Sequence, residues 1–148
     1  MNMQQMLGAG DRRYLILGAV VALTGLLSFL DPSGSWGAVV LVGILGGLLA
    51  AFVAVQPQVA PTVKLPTTKG AVLLVAGALA AGGFVIAALT YINYVFALTR
   101  IFSIIFDIGL VASLVLLWFG WQAYQAEQGR TPAAPPPAAP PPAAPPAA

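Results

Sequence analysis

The chain has 148 residues, of which 59% are hydrophobic and only 7% charged, against about a quarter charged in a soluble domain. It contains no cysteine and no histidine, which excludes disulfides, thiol nucleophiles, Cys/His zinc sites, histidine-ligated haem and a histidine general base. The formal net charge of +2, from six basic residues scattered along the chain, is too small to suggest a nucleic-acid partner.

Residues 1–13 form an N-terminal segment that ends in Arg12 and Arg13. The first apolar block, 14–30, closes at Asp31 and Pro32. Arg12–Arg13, about seventeen apolar residues and then Ser33-Gly34-Ser35 have the outline of a cleavable signal peptide, but the run is longer than the usual apolar core and the small-residue site is weak. The block is therefore read as a span. A second block covers 36–55, with Ser35 as its expected N-cap. The connection "QPQVAPTVKLPTTK" carries Pro57, Pro61 and Pro66 and is expected to be extended. The third block, 71–92, follows Lys69 and Gly70, and the fourth covers 101–124. Three of the blocks begin alike, at Gly18, Gly37 and Gly70; coincidence in so narrow an alphabet is the leading reading and internal duplication the alternative.

At 1.5 Å per residue, each block is long enough, or nearly so, to cross about 30 Å of hydrocarbon. None alternates in polarity as barrel strands do. The expected fold class is an all-α membrane protein: a four-transmembrane-helix bundle, residues 14–124, with short loops. Residues 125–148 form a disordered Pro/Ala-rich tail. Its proline density favours polyproline II, a semi-rigid rod of roughly 50 Å. The spacings Pro132–Pro135, Pro137–Pro140 and Pro142–Pro145 match P-x-x-P ligands. The tail has no charged or aromatic specificity residue beyond Arg130, so a spacer is the leading expectation and a weak ligand the alternative.

Topology follows from the basic residues. With four spans, Arg12, Arg13, Lys64, Lys69 and Arg130 fall on one side and Arg100 alone on the other. Both termini are therefore expected in the cytoplasm. The aromatics agree: Tyr14, Trp118, Trp121 and Tyr124 mark the inner boundary, and Trp36, Tyr91 and Tyr94 the outer one.

Small residues dominate the span interiors. Gly43 and Gly47 form a G-x-x-x-G, Gly18, Ala22 and Gly25 line one face of the first span, and the third offers Gly77, Ala81 and Gly83. Small residues let helices approach closely in lipid. Packing within the bundle is the leading reading, and a homo-oligomer or docking interface the alternative.

Asp107 is the acid well inside a span, and intramembrane ionisable residues are functional candidates by default. Ser103 and Arg100, four and seven residues earlier, can share its helix face, with Asn93 nearby on the outer connection. Three readings stand. Ser103 caps the helix, so that Asp107 sits about one turn inside, favoured by the helix dipole. Alternatively, Asp107 pairs with Arg100 or Asn93 and fixes register, or it serves proton or cation transport. The capped, shallow placement leads, because a lone aspartate makes a poor relay. Asp11, Asp31 and Glu127 read as solvated flanks.

No nucleophile has a base beside it, no loop is built to cradle phosphate and no carboxylates are paired for acid–base work. The expectation is a non-enzymatic protein without cofactor or metal. The leading reading is a small structural or accessory subunit of a larger bacterial inner-membrane complex, its partners being the lipid bilayer and other membrane subunits or copies of itself. The alternatives are an ion- or proton-conducting channel or transporter component centred on Asp107, and a membrane anchor that recruits a cytoplasmic partner through the tail.

Overall fold

A computed structural model describes residues 8–31, 37–95, 100–129 and 137–147. Among the described residues every regular element is a helix, and there are no strands. The elements are α1 (Ala9–Phe29), α2 (Val39–Val59), α3 (Lys69–Thr90), a single turn α4 (Ile92–Val95) and α5 (Ile101–Gln128). All of these except α4 are long and apolar enough to cross a membrane, which fits a multi-pass membrane protein. Ser35, Trp36, Arg130 and the Pro132–Pro135 spacing lie outside the described residues, as does the side chain of Tyr94. Residues 137–147 carry no regular secondary structure and are exposed throughout.

At one end of the bundle the helices overrun the expected spans, while at the other α1, α2 and α3 stop one to three residues short. α1 begins at Ala9, so Asp11, Arg12 and Arg13 belong to its first turns. In an apolar solvent every backbone group must be bonded within the helix, so a span continues until it reaches water. α2 passes through Pro57 to Val59, where an extended connection was expected. Near a C-terminus the ring removes one N–H bond without ending the helix. The Gln56 amide then holds the following turn, donating to the Ala60 carbonyl at 3.2 Å and to the Val63 carbonyl at 2.6 Å. Gly37 precedes α2 with φ +59°, the left-handed region that glycine enters without steric cost.

Each long helix packs against its neighbours in the chain, and α5 returns to close the ring against α1. Neighbours run antiparallel: Gly18 and Gly47 face each other across α1 and α2, and so do Gly25 and Ile44 further along. A β-carbon on Gly18 would lie 2.6 Å from the Gly47 carbonyl oxygen, and one on Gly47 2.8 Å from the Gly18 carbonyl oxygen. The two backbones are therefore in direct contact. Gly77 meets α5 in the same way, with a β-carbon there 2.7 Å from the Leu117 Cα.

The inside of the bundle is correspondingly small-residue, with Ala50, Ala76, Ala80 and Ala87 fully buried, while Leu23, Leu45, Leu89 and Val111 point outward. Water would sort these residues the other way round. In lipid the exterior costs nothing to leave apolar, and association depends on close van der Waals contact.

Candidate functional site

The bundle axis is filled by aromatic packing. Phe84 of α3 is fully buried, and its ring lies 5.2 Å from that of Phe106 on α5, tilted by 39°. Glycines from the other three long helices surround it. A β-carbon would come within 2.8 Å of the Phe84 ring at Gly43, within 2.6 Å at Gly109 and within 3.4 Å at Gly25. Leu73, Leu116, Val40 and Val53 complete the column, all essentially without exposure.

Buried hydroxyls are satisfied along their own helices. Thr24 Oγ1 donates to the Val20 carbonyl at 2.7 Å, Ser28 Oγ to the Thr24 carbonyl at 2.8 Å and Ser113 Oγ to the Leu110 carbonyl at 2.7 Å. This pattern hides a polar group in an apolar surround without a partner helix.

Asp107 is placed differently. Its helix starts at Ile101, with Arg100 in the extended conformation as the N-cap residue. The Arg100 carbonyl accepts from the Ser103 and Ile104 N–H groups at 3.1 and 3.2 Å. Ser103 is therefore inside the first turn, 2% exposed, and is not the cap. Asp107 falls in the second turn, beyond the reach over which the helix dipole acts strongly. Its Oδ1 is buried with no hydrogen-bond partner, so neither Arg100 nor Asn93 satisfies that oxygen. Asn93 lies exposed on α4. The aspartate lines a groove of about 490 Å³ on the outside of the bundle, whose walls include Leu17 of α1 and Ile104, Ile108, Val111 and Val115 of α5. The residue thus belongs to the wall of an outer groove, with Oδ1 covered by the chain itself.

A second polar group gathers at the opposite end. Lys69 Nζ pairs with Asp11 Oδ1, joining the starts of α1 and α3. The Gly70 N–H donates to Glu127 Oε1 at 2.8 Å, so the last turn of α5 caps the first turn of α3. Thr68 supplies the usual cap alongside, its Oγ1 accepting from the Ala71 N–H at 3.3 Å. Tyr14 Oη donates to the Phe119 carbonyl at 3.2 Å, tying α1 to α5. Asp11 and Glu127, expected to be solvated flanks, are instead inter-helix fasteners. Gly70 makes this possible, since a β-carbon there would meet the Glu127 carboxylate at 2.5 Å.

Comparison with protein-family models, with curated proteins and with solved structures found no match. Gly18, Ala22, Gly25, Gly43, Gly47, Gly77, Ala81 and Gly83 are all buried within the chain. The contacts described above at Gly18, Gly25, Gly43, Gly47 and Gly77, and that of Gly83 with the Gly43 backbone, are made to neighbouring helices of the same molecule. Sequence reasoning missed Gly46, Gly109 and Gly120, which pack equally closely against Ala80, Phe84 and Leu73. Gly109 carried a usable signal, since Ser113 stands four residues on as a second small residue.

Proposed function

We propose that the protein is a non-enzymatic integral membrane protein, a small structural or accessory subunit of a larger bacterial inner-membrane complex. The observation that carries this reading is the open apolar groove beside Asp107. A groove of about 490 Å³ on the outer surface of a bundle, with an ionisable residue in its wall, is a place where a helix of a neighbouring membrane subunit can seat. A conducting path would instead need polar groups along the axis, and there the column is Phe84, Phe106, Leu73 and Leu116. The Ala-, Gly-, Val- and Pro-heavy composition fits a GC-rich bacterial genome.

Charge placement supports cytoplasmic termini. Lys69 and Asp11 pair at one end of the bundle, with Arg12 and Arg13 one and two residues beyond Asp11, while Arg100 stands at the start of α5. Purification in a mild detergent followed by native mass spectrometry tests the subunit reading. The expected result is a defined hetero-assembly that Asp107→Leu weakens. A monodisperse monomer with no associated subunit overturns it.

A further inference from the structure

The connection between α2 and α3 does more than join them. Gln56 pins it back through its two carbonyl bonds, the Val63 N–H donates to the Ala60 carbonyl at 3.1 Å, and Leu65 packs against the core. The folded-back segment roofs a pocket of about 350 Å³. Its floor is Leu49 and Phe52 of α2 with Val72 and Val75 of α3, and Lys64 stands on its roof.

Three observations point to one occupant. The lining is apolar and partly open to the outside, with Phe52 42% and Val75 53% exposed. The pocket begins at the end of the bundle where Lys69, Asp11 and Glu127 gather, and Val75 lies about 9 Å along α3 from Lys69, so it runs from a polar boundary inward. Among the described residues no carboxylate is paired with Lys64, which leaves its ammonium charge for an external anion. An amphiphile with an anionic head and an alkyl chain matches this arrangement in charge, polarity and direction.

We infer that this pocket is a binding site for an anionic phospholipid, with one acyl chain between Phe52 and Val75 and the phosphate head at Lys64. A basic residue at a membrane surface attracts anionic lipid, and the pinned connection makes Lys64 part of the lining of an apolar slot. A zwitterionic lipid gains the slot and no net charge interaction.

The test uses the full chain in phosphatidylcholine vesicles with a minor fraction of phosphatidylglycerol carrying a diazirine on one acyl chain, followed by mapping of the cross-linked peptides. Cross-links are expected at Phe52, Val72 and Val75, with the yield there falling about five-fold in Lys64→Gln. Val75→Trp, which fills the slot from an exposed position, should abolish them while Lys64 is intact. Arg12→Gln, which removes an equal charge outside the pocket, should leave the yield unchanged. The inference is overturned if diazirine-labelled phosphatidylcholine labels the same residues equally. It is overturned too if Arg12→Gln acts as strongly as Lys64→Gln, which would mean diffuse surface attraction. Cross-linked dimers through Val75 would mean that a second copy covers the slot, and would also overturn it.

Discussion

Phe84 follows two glycines, and its ring fills the space that glycines on α1, α2 and α5 leave open. Close contact of this kind carries the stability of a bundle in lipid, where burying apolar surface brings no gain over the hydrocarbon outside. A methyl group at Gly109 must displace the ring or Thr24, and overpacking of this sort costs about 1–3 kcal/mol. At Gly82 nothing lies within 4 Å of the corresponding position. There, alanine should be neutral or raise stability by up to about 1 kcal/mol through lower backbone entropy. Unfolding in detergent micelles distinguishes the two variants. Equal shifts for Gly109→Ala and Gly82→Ala would count against the packing described. The small residues were legible in the sequence, because G-x-x-x-G spacing is a property of one helix. The knob that unites them was not, because which large residue meets which glycine depends on the rotation of four helices about their axes.

At the scale of elements, α3 is tied at its start by groups from both ends of the chain. The two fasteners differ in kind. The Lys69–Asp11 pair has side chains 34% and 32% exposed, and an ion pair so open to solvent contributes about 0–1 kcal/mol. The Glu127 bond satisfies the N–H of a buried residue, and losing such a cap costs about 0.5–2 kcal/mol. Hydrogen exchange should therefore quicken in the first turn of α3 in Glu127→Ala and stay near its original rate in Asp11→Asn. The opposite order would show the ion pair to be the stronger fastener. Existence and approximate position of the four spans were readable because a helix in lipid is a long apolar run. Their ends were not. Asp11, Arg12 and Arg13 look like a flank until Lys69 is seen across from Asp11, and Pro57 looks like a stop until Gln56 is seen holding the turn beyond it. Ser103 has the composition of a cap, but Arg100 already fills that position.

For the molecule as a whole, the antiparallel ring places the α2–α3 connection, the start of α1 and the end of α5 on one side and α4 on the other. Because the chain has no cysteine, single replacements report sidedness without background labelling. Thr62→Cys and Ala139→Cys, both exposed positions, should react with an impermeant maleimide only after cells are opened. Asn93→Cys, exposed on α4, should react in intact cells. Labelling of Asn93→Cys only after opening would invert the orientation proposed from the charges. The aspartate of α5 joins the residue scale to this one. About 30 Å of helix separate Asp107 from Glu127, one hydrocarbon thickness. Asp107 lies in the wall of the outer groove, its Oδ1 covered and without a partner. Its unusual chemistry was evident from the sequence. That it lines an outer groove was not, since the helix face alone does not say which side meets a neighbour.

The bond from Gly70 to Glu127 spans 57 positions of chain. During synthesis from the N-terminus, the start of α3 therefore waits for its acceptor until nearly the whole of α5 has been made. Until then its first turn has Thr68 alone as a local cap. The three earlier helices can insert and meet, but this corner of the bundle closes last. The unfinished bundle thus carries an open helix end that disappears when the final turn arrives.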